Sequence, residues 1–304
     1  MAQTIRPLSQ VSGEHNQVPT AHPRHTEGMF WNWLPVWRKP PLHASLHGNS
    51  GSPVVLLHGI ASSAVAYEFV IPDLSETHEV IALDLLGFGL SPAPDSAQFT
   101  IDEHVDAIIT SLKRLRVRRP ITLVGHSLGA LIAIRFAARF PKWVSHLVLV
   151  SPPVYVPSEA MVDSVDRVQM DAYLKLYDFM RKNREFTTSA AQAMERISPI
   201  RNLVDVNETN WRAFSLSLKK CIESQTTVAD IAQVRCGIDL IYGTLDPFLA
   251  PAGLRVIERM RGVATTRVEG VDHVIRPKLA NELVSLIDNP SPPTAPIKLV
   301  GRGR

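Results

Sequence analysis

The chain has 304 residues, 45% of them hydrophobic, which is enough to bury one large core together with a smaller subdomain. Its formal net charge of +3 at pH 7 is too small to indicate a nucleic-acid partner. Cys221 and Cys236 are its two cysteines, and its start lacks the apolar stretch of a secretory signal. We therefore expect reduced thiols and a cytoplasmic location, with a disulfide between the two cysteines as the alternative.

The N-terminal region divides into two parts. Residues 1–28 are polar, contain proline and are rich in histidine, a composition that predicts a disordered lead. The short segment after them contains Trp31, Trp33 and Trp37. Two roles fit such a segment: docking on the body of the fold, which we favour, and contact with a membrane interface or an apolar substrate.

The first predicted buried strand spans residues 54–57 and is apolar throughout, as expected for a strand covered on both faces. His58, Gly59 and Ile60 follow it. Gly59 permits a tight turn, and the Ile60 N–H is predicted to donate to an oxyanion at this strand end. We expect His58 to brace the loop rather than to bind a metal. No metal site or cofactor is predicted, because no histidine or carboxylate cluster has ligand spacing.

The next predicted strand, residues 80–84, ends at Asp84, which opens a glycine-containing turn through Ser91. A carboxylate in such a turn commonly accepts hydrogen bonds from backbone N–H groups. A helix then starts near residue 101 and ends in a basic run at residues 113–119. Cations complement the helix dipole at that end, so we interpret the run as a solvated helix end rather than a nucleic-acid surface.

Residues 121–126 predict a strand and an apolar helix follows, with Gly125, Ser127 and Gly129 at the junction. A G-x-S-x-G pattern in this setting is typical of a nucleophile on a sharp, strained turn that exposes the serine hydroxyl. The N–H groups of Ser127 and Leu128 belong to the first helical turn, where donors have no partner within the helix. We predict that Leu128 N–H contributes to an oxyanion hole. The alternative is a glycine-bounded turn with an incidental serine.

Residues 152–234 lack a strand pattern and form a longer connection than a usual crossover between parallel strands, so they predict a helical cap. Apolar residues recur at helical spacing within residues 170–180 and 211–218. We interpret these stripes mainly as the core of the cap. The residues of these stripes that are candidates for lining an acyl pocket over the serine are Tyr177, Met180, Trp211 and Phe214.

Two late strands are followed by an acid and a histidine. Residues 237–243 predict a buried strand that precedes Asp246, and residues 265–270 predict another strand that precedes His273. A nucleophilic serine needs a base, and the base needs an acid that holds its tautomer. Ser127, Asp246 and His273 are therefore the predicted catalytic triad.

Other carboxylates compete for the role of the acid. Asp239 begins its strand and so belongs to the opposite end of the sheet. Asp272 adjoins the histidine, and a sequence neighbour rarely reaches around to the ring nitrogen. Asp84 is expected to hold its own turn. The strand at residues 146–151 ends in serine and two prolines, so it supplies no carboxylate.

Five short motifs occur in order along the chain. They are the HG turn at His58 and Gly59, the D-x-x-G-x-G-x-S turn from Asp84 to Ser91, the GHSLG elbow around Ser127, the G-x-x-D turn from Gly243 to Asp246, and the DH pair at Asp272 and His273. Together they resemble the α/β-hydrolase superfamily, in its lidded serine-esterase-like branch, over roughly residues 42–288. Ala130 and Cys236-Gly237 depart from the common pattern without removing a catalytic group.

The predicted fold is α/β, with a doubly wound, mostly parallel sheet of about seven or eight strands and helices on both faces. Residues 29–151 and 235–288 are assigned to this core, and the cap, residues 152–234, is inserted after the sixth strand. Residues 289–304 are proline-rich and basic and predict a flexible tail. The predicted site residues all follow the carboxyl ends of strands, where sites form in such sheets.

The predicted function is serine-dependent hydrolysis of a small or medium apolar carboxylic ester or related acyl substrate through an acyl-enzyme, without a cofactor. Its partner is a small molecule, and the oligomeric state stays open. One alternative is a carbon–carbon bond hydrolase, which cationic groups in the pocket would favour; the candidates are Arg181, Arg184, Arg196 and Arg201. Another is a non-catalytic ligand-binding receptor on the same scaffold. Haloalkane dehalogenases and epoxide hydrolases use an aspartate where this chain has Ser127.

Overall fold

A computed structural model describes residues 40–156, 163–197, 200–201, 203–260 and 262–290. The predicted disordered lead, the tryptophan segment and all but the first residues of the predicted tail lie outside these ranges. The described chain contains a seven-stranded sheet in the spatial order β1-β3-β2-β4-β5-β6-β7. Its strands are β1 (Ala44–His47), β2 (Pro53–Leu57), β3 (Glu79–Leu83), β4 (Ile121–His126), β5 (Val144–Val150), β6 (Gly237–Gly243) and β7 (Val263–Val268).

The sheet is parallel except at one edge. β1 pairs antiparallel with β3, and all other neighbours run parallel. The interior strand β2 is buried along its whole length, whereas the edge strand β7 has five of its six residues partly or fully exposed. This arrangement places the carboxyl ends of β2, β4, β6 and β7 along one edge of the sheet.

The helices of the described chain follow or connect these strands. They are α1 (Ile71–Leu74), α2 (Ile101–Arg114), α3 (Leu128–Arg139), α4 (Ser164–Lys182), α5 (Arg184–Ile197), α6 (Trp211–Ser217), α7 (Thr227–Ile231), α8 (Pro251–Glu258) and α9 (Pro277–Asp288). A 3₁₀ turn at Ala64–Tyr67 follows β2, and a π-helical turn at Leu218–Glu223 follows α6. The basic run after α2 is exposed, as its interpretation as a solvated helix end requires.

Consecutive residues of the central strands alternate between two hydrophobic cores, because side chains of a strand point to opposite faces. Leu123 and Leu147 belong to the core that α2, α3 and α8 cover. Val124 and Val148 belong to the core that α1 and α9 cover. The predicted doubly wound, mostly parallel sheet is therefore confirmed.

The long connection predicted from the sequence is helical, and α4, α5, α6 and α7 all lie between β5 and β6. The insertion follows the fifth strand rather than the predicted sixth, because β1 alone precedes β2 in the described part of the chain. Cys221 and Cys236 are buried and unpaired, and burial raises the pKa of the Cys236 thiol to about 11.

Among the described residues, each helix is too short or too polar to cross a lipid bilayer.

Candidate active site

The turn between β4 and α3 has the geometry of a strained elbow. Ser127 has φ 54° and ψ −119°, a backbone conformation that a non-glycine residue rarely adopts. A Cβ at Gly125 would lie 2.4 Å from the Gly129 carbonyl oxygen, and a Cβ at Gly129 would lie 2.3 Å from the Leu57 carbonyl oxygen. Both glycines are required because strand and helix approach each other this closely.

The N–H groups at the elbow divide into two kinds. The Ser127 N–H donates to the Val150 carbonyl at 2.9 Å, so it is not the free donor that its place in the first helical turn suggested. Leu128 is the first residue of α3, and within the described chain neither its N–H nor that of Ile60 donates to a backbone carbonyl. Among the described residues, the two predicted oxyanion donors, Leu128 and Ile60, thus have no backbone carbonyl as a partner of their N–H groups.

The loop after β2 approaches the serine directly. A Cβ at Gly59 would lie 3.1 Å from Ser127 Cβ, so glycine permits this contact. His58 is fully buried; its Nδ1–H donates to the Gly59 carbonyl at 2.7 Å, and its Nε2 accepts from the Leu85 N–H at 2.8 Å. Burial lowers the pKa of His58 to about 4, so the ring is neutral and braces the loop as expected.

Asp246 and His273 form a hydrogen-bonded pair at the ends of β6 and β7. Asp246 Oδ2 lies 2.7 Å from His273 Nδ1, and its Oδ1 accepts the Phe248 N–H at 2.9 Å. The Asp246 side chain is fully buried, while that of His273 is 18% exposed. Burial alone would raise the pKa of Asp246, but the hydrogen bond and charge of His273 and the Phe248 N–H hold it below its ordinary value. The acid is thus ionised at neutral pH.

The competing carboxylates have other partners. Asp84 accepts the N–H groups of Ala64 and Leu90 at 2.8 and 2.9 Å, as expected of a residue that holds a turn. Asp239 lies 2.8 Å from His146 in a buried pair of side chains on the neighbouring strands β6 and β5. Asp272 pairs with Arg276 at 3.1 Å. None of the three has His273 as its partner in these contacts.

Sequence reasoning missed the role of His126, the middle residue between Gly125 and Ser127. Its Nε2–H donates to the His273 carbonyl at 2.9 Å, and the two rings lie 4.8 Å apart. Burial, reinforced by the charge of His273, lowers the pKa of His126 to about 3, so the ring is neutral. The ring of Phe248 contacts His273 from another side at 4.9 Å. The position of His126 inside the elbow motif was the signal that could have indicated this contact.

A cavity of about 210 Å³ brings these segments together. Its wall includes Ser127, His273, Gly59 and Ile60 from the sheet edge. The inserted helices and the chain between α5 and α6 add mainly apolar side chains, namely Tyr177, Met180, Thr187, Ala190, Ala191, Leu203, Val204, Val206, Phe214, Leu218 and Ile222. No Asp, Glu, Lys or Arg belongs to the described part of this wall.

The predicted pocket candidates divide into two groups. Tyr177, Met180 and Phe214 lie on the cavity wall. Trp211 does not, which corrects its assignment: its ring packs on Phe214 at 5.6 Å, and the Arg184 guanidinium lies over it at 5.8 Å. Trp211 is the first residue of α6, one turn before Phe214, and its ring contacts Arg184, the first residue of α5.

The candidate cations also lie away from the cavity wall. Arg181 pairs with Glu223 at 3.2 Å, and Arg184 pairs with the exposed Glu208 at 3.2 Å. Arg201 is exposed. The side chain of Arg196 lies outside the described part of the structure. In the described chain, an anionic group of a ligand would therefore meet no cation in this cavity.

Residues 52–233 match the family model for the alpha/beta hydrolase fold, and the chain belongs to that family. Among curated relatives, the probable lysophospholipase BODYGUARD 3 of Arabidopsis thaliana is 42% identical over 106 residues, which are 34% of this chain and 21% of the relative. The 2-hydroxymuconate semialdehyde hydrolase of Pseudomonas sp. strain CF600 is 36% identical over 129 residues, which are 41% of this chain and 45% of the relative. The chain thus spans less than half the length of these relatives.

Solved structures share the fold. An esterase from Exiguobacterium antarcticum superposes with a TM-score of 0.66 at 20% identity, over 81% of this chain and 95% of the esterase. The meta-cleavage product hydrolase of Pseudomonas fluorescens IP01 superposes with a TM-score of 0.59 at 20% identity, over 80% of this chain and 91% of the hydrolase. At these identities the likeness establishes the fold, and function has to be argued from the site.

Proposed function

We propose that the chain is a serine-dependent hydrolase that cleaves a small or medium, largely apolar carboxylic ester or related acyl substrate. The observation that carries this proposal is that His273, which is paired with Asp246 at 2.7 Å, lies on the wall of the same cavity as the strained Ser127. A buried acid, a histidine and a serine on a strained turn are the parts that acyl transfer needs.

In this proposal His273 takes the proton of the Ser127 hydroxyl while the serine oxygen attacks the acyl carbon. Asp246 accepts the Nδ1–H of the histidine and so leaves the other ring nitrogen free to act as base. The N–H groups of Ile60 and Leu128 donate to the oxyanion of the tetrahedral intermediate. His273 then returns the proton to the leaving alcohol, and water hydrolyses the acyl-enzyme by the same steps. This chemistry needs no cofactor.

The insertion has the role of a cap in this proposal, with residues 152–234 covering the serine and setting the acyl preference. Tyr177, Met180 and Phe214 would contact the acyl chain, because they are the predicted pocket residues on the cavity wall. The unpaired thiols of Cys221 and Cys236 support a reducing, cytoplasmic location as part of the same proposal.

The names of the relatives include a probable lysophospholipase, an esterase and a 2-hydroxymuconate semialdehyde hydrolase. The last keeps carbon–carbon bond hydrolysis as a second candidate. We favour ester hydrolysis, because the described cavity wall has no charged side chain to receive a substrate carboxylate. An apolar acyl group buried against this wall would be stabilised at roughly 25 cal/mol per Å².

The test is a series of ester substrates from acetate to octanoate, together with a fluorophosphonate label that reacts with activated serines. We expect turnover and labelling in the wild type and neither in Ser127→Ala, a loss on the order of 10⁶-fold that leaves the fold intact. Ser145→Ala is the control, since its hydroxyl binds the Ile121 carbonyl away from the cavity. Undiminished labelling of Ser127→Ala, or turnover of a vinylogous diketone but of no ester, would refute the proposal.

The same series tests the acyl pocket. Phe214→Ala enlarges the cavity. The ratio of kcat/KM between long-chain and short-chain esters should therefore change by tens-fold, since each methylene of contact is worth roughly 1–3 kcal/mol. Trp211→Ala is the matched control, one helical turn away and off the cavity wall. Its truncation should lower Tm and leave the ranking of the esters unchanged. An equal shift of chain-length preference in both variants would show that the pocket lies elsewhere.

A further inference from the structure

The loop that carries Asp246 is held from the insertion by tyrosine side chains. The Tyr173 hydroxyl of α4 donates to the Pro247 carbonyl at 2.8 Å and lies 3.3 Å from the Leu249 carbonyl. The Tyr155 hydroxyl, from the segment after β5, donates to the Phe248 carbonyl at 3.4 Å. Two tyrosine hydroxyls thus lie within hydrogen-bond distance of three consecutive carbonyls directly after the catalytic acid.

These tyrosines form one cluster with the cavity wall. The rings of Tyr155 and Tyr173 stack at 5.8 Å with an angle of 16° between their planes. The hydroxyls of Tyr155 and Tyr177 lie 2.5 Å apart, and Tyr177 lines the cavity. Burial raises the pKa of Tyr177 to about 12 and that of Tyr155 further, so both hydroxyls keep their protons. The cluster therefore connects the cavity wall to the loop through neutral hydrogen bonds.

The held loop also determines how the acid meets the histidine. The Phe248 N–H donates to the Asp246 oxygen that does not face His273, and the Phe248 ring packs on the His273 ring. Leu245, on the other side of the acid, is 66% exposed and contributes little packing. A shift of the Phe248 backbone would therefore move both a hydrogen bond to the carboxylate and a ring contact of the base.

We propose that Tyr173 is a positioning residue for Asp246, assisted by Tyr155, so that α4 supports the catalytic acid in addition to covering the substrate. This inference rests on the proposed function. Tyr173 acts through the loop and does not belong to the cavity wall. Displacements on the order of 1 Å at a catalytic group cost about 10²-fold in rate, so a partly released loop should cost about tenfold.

The test compares Tyr173→Phe with Tyr242→Phe. Tyr242 is the matched control, because its hydroxyl donates to Glu258 at 2.7 Å from the strand that leads into the same loop. We expect kcat and the rate of fluorophosphonate labelling to fall about tenfold in Tyr173→Phe, with KM for a short ester unchanged. Tyr242→Phe should keep the wild-type kcat. Equal kcat in wild type and Tyr173→Phe would overturn the inference.

A double mutant separates positioning from a general loss of structure. In the Asp246→Asn background, Tyr173→Phe should cause no further loss of kcat, because the group that it positions is already disabled. The same tenfold loss in both backgrounds would show that Tyr173 acts independently of the acid, and would overturn the inference.

Hydrogen exchange gives a readout that does not depend on turnover. The amide of Phe248 should exchange faster in Tyr173→Phe than in wild type or Tyr242→Phe, because its loop opens more often. Unchanged exchange would overturn the inference even if the wild type hydrolysed no ester. A wild type without ester turnover or labelling, but with faster exchange in Tyr173→Phe, would instead refute the proposed function and leave the positioning contact standing.

Discussion

The serine and the acid–base pair of the proposed triad are supported in different ways. Ser127 lies between β4 and α3, and α3 approaches β4 at Gly125 and the end of β2 at Gly129 so closely that only glycine fits at these two positions. Asp246 and His273 lie in loops, and side-chain hydrogen bonds and ring contacts hold them. Backbone packing therefore places the nucleophile, while a small set of side chains places the acid and the base.

This difference matters for how each half tolerates substitution. A Cβ added at the elbow meets backbone atoms, which cannot move without shifting a strand or a helix. Removing a hydroxyl or carboxylate that holds the loops deletes a contact and brings no added atom against the backbone. We therefore expect stability losses from changes around Ser127 and rate losses from changes around Asp246.

Among changes in the two loops, the largest effect on rate is expected for Asp246→Asn. The amide cannot hold the required tautomer of His273 or stabilise its charged form, so kcat should fall on the order of 10³- to 10⁴-fold while Tm changes little. Asp84→Asn is the comparison, because that carboxylate accepts two backbone N–H groups and should mainly affect stability. An equal rate loss in Asp84→Asn at unchanged stability would mean that the acid is assigned wrongly.

The largest effect on stability is expected for Gly125→Ala. Its Cβ would lie 2.4 Å from the Gly129 oxygen and 2.6 Å from Ala130 Cα, so urea unfolding should show a loss of roughly 3 kcal/mol or more. Gly270→Ala is the matched control, since a Cβ there meets nothing within 4 Å and φ is +72°. The unfolding free energy of Gly270→Ala should fall by only about 1 kcal/mol, the cost of placing a non-glycine residue in the left-handed backbone conformation. Equal losses would show that close packing does not place the serine.

A smaller effect follows from three buried histidines, of which His58 and His126 lie beside the site and His104 lies in α2. Burial lowers the pKa values of His58, His104 and His126 from 6.5 to about 4, 3 and 3. The unfolded chain binds these protons as pH falls below 6.5 and the folded chain does not. Stability is therefore complete above pH 6.5 and is lost toward pH 4, by up to about 1.4 kcal/mol per pH unit for each histidine.

The measurement is the urea unfolding free energy between pH 6.5 and 5, where carboxylates stay ionised. His126→Gln retains an amide donor toward the His273 carbonyl but cannot titrate. The slope of its unfolding free energy against pH should therefore be smaller than that of the wild type, by up to the contribution of one bound proton. Identical slopes would show that His126 is protonated in the folded chain. A charged His126 would add a coulombic contact between the elbow and His273, and the two halves of the triad would then not be supported separately.

Local sequence patterns were sufficient for the parts of the site that backbone geometry decides. The G-x-S-x-G spacing between a strand and a helix predicted the elbow, because only glycine relieves the close approach of those two elements. The glycine turn after Asp84 and the bracing His58 were predicted for a similar reason, since short-range hydrogen bonds satisfy the backbone of tight turns. The predicted core strands were found because their apolar runs reflect burial on both faces.

The sequence alone also determined the order of serine, acid and histidine, but only the tertiary structure decided which side chains meet across long separations. Trp211 and Phe214 belong to one helical stripe, yet Phe214 reaches the cavity and Trp211 packs beside Arg184. Helical periodicity specifies which residues share a face, and it does not specify which neighbour that face meets. The contacts of His126 with His273 and of Tyr173 with the acid loop likewise required the tertiary structure. Each joins segments that are far apart in sequence, and the packing of those segments sets the distance between them.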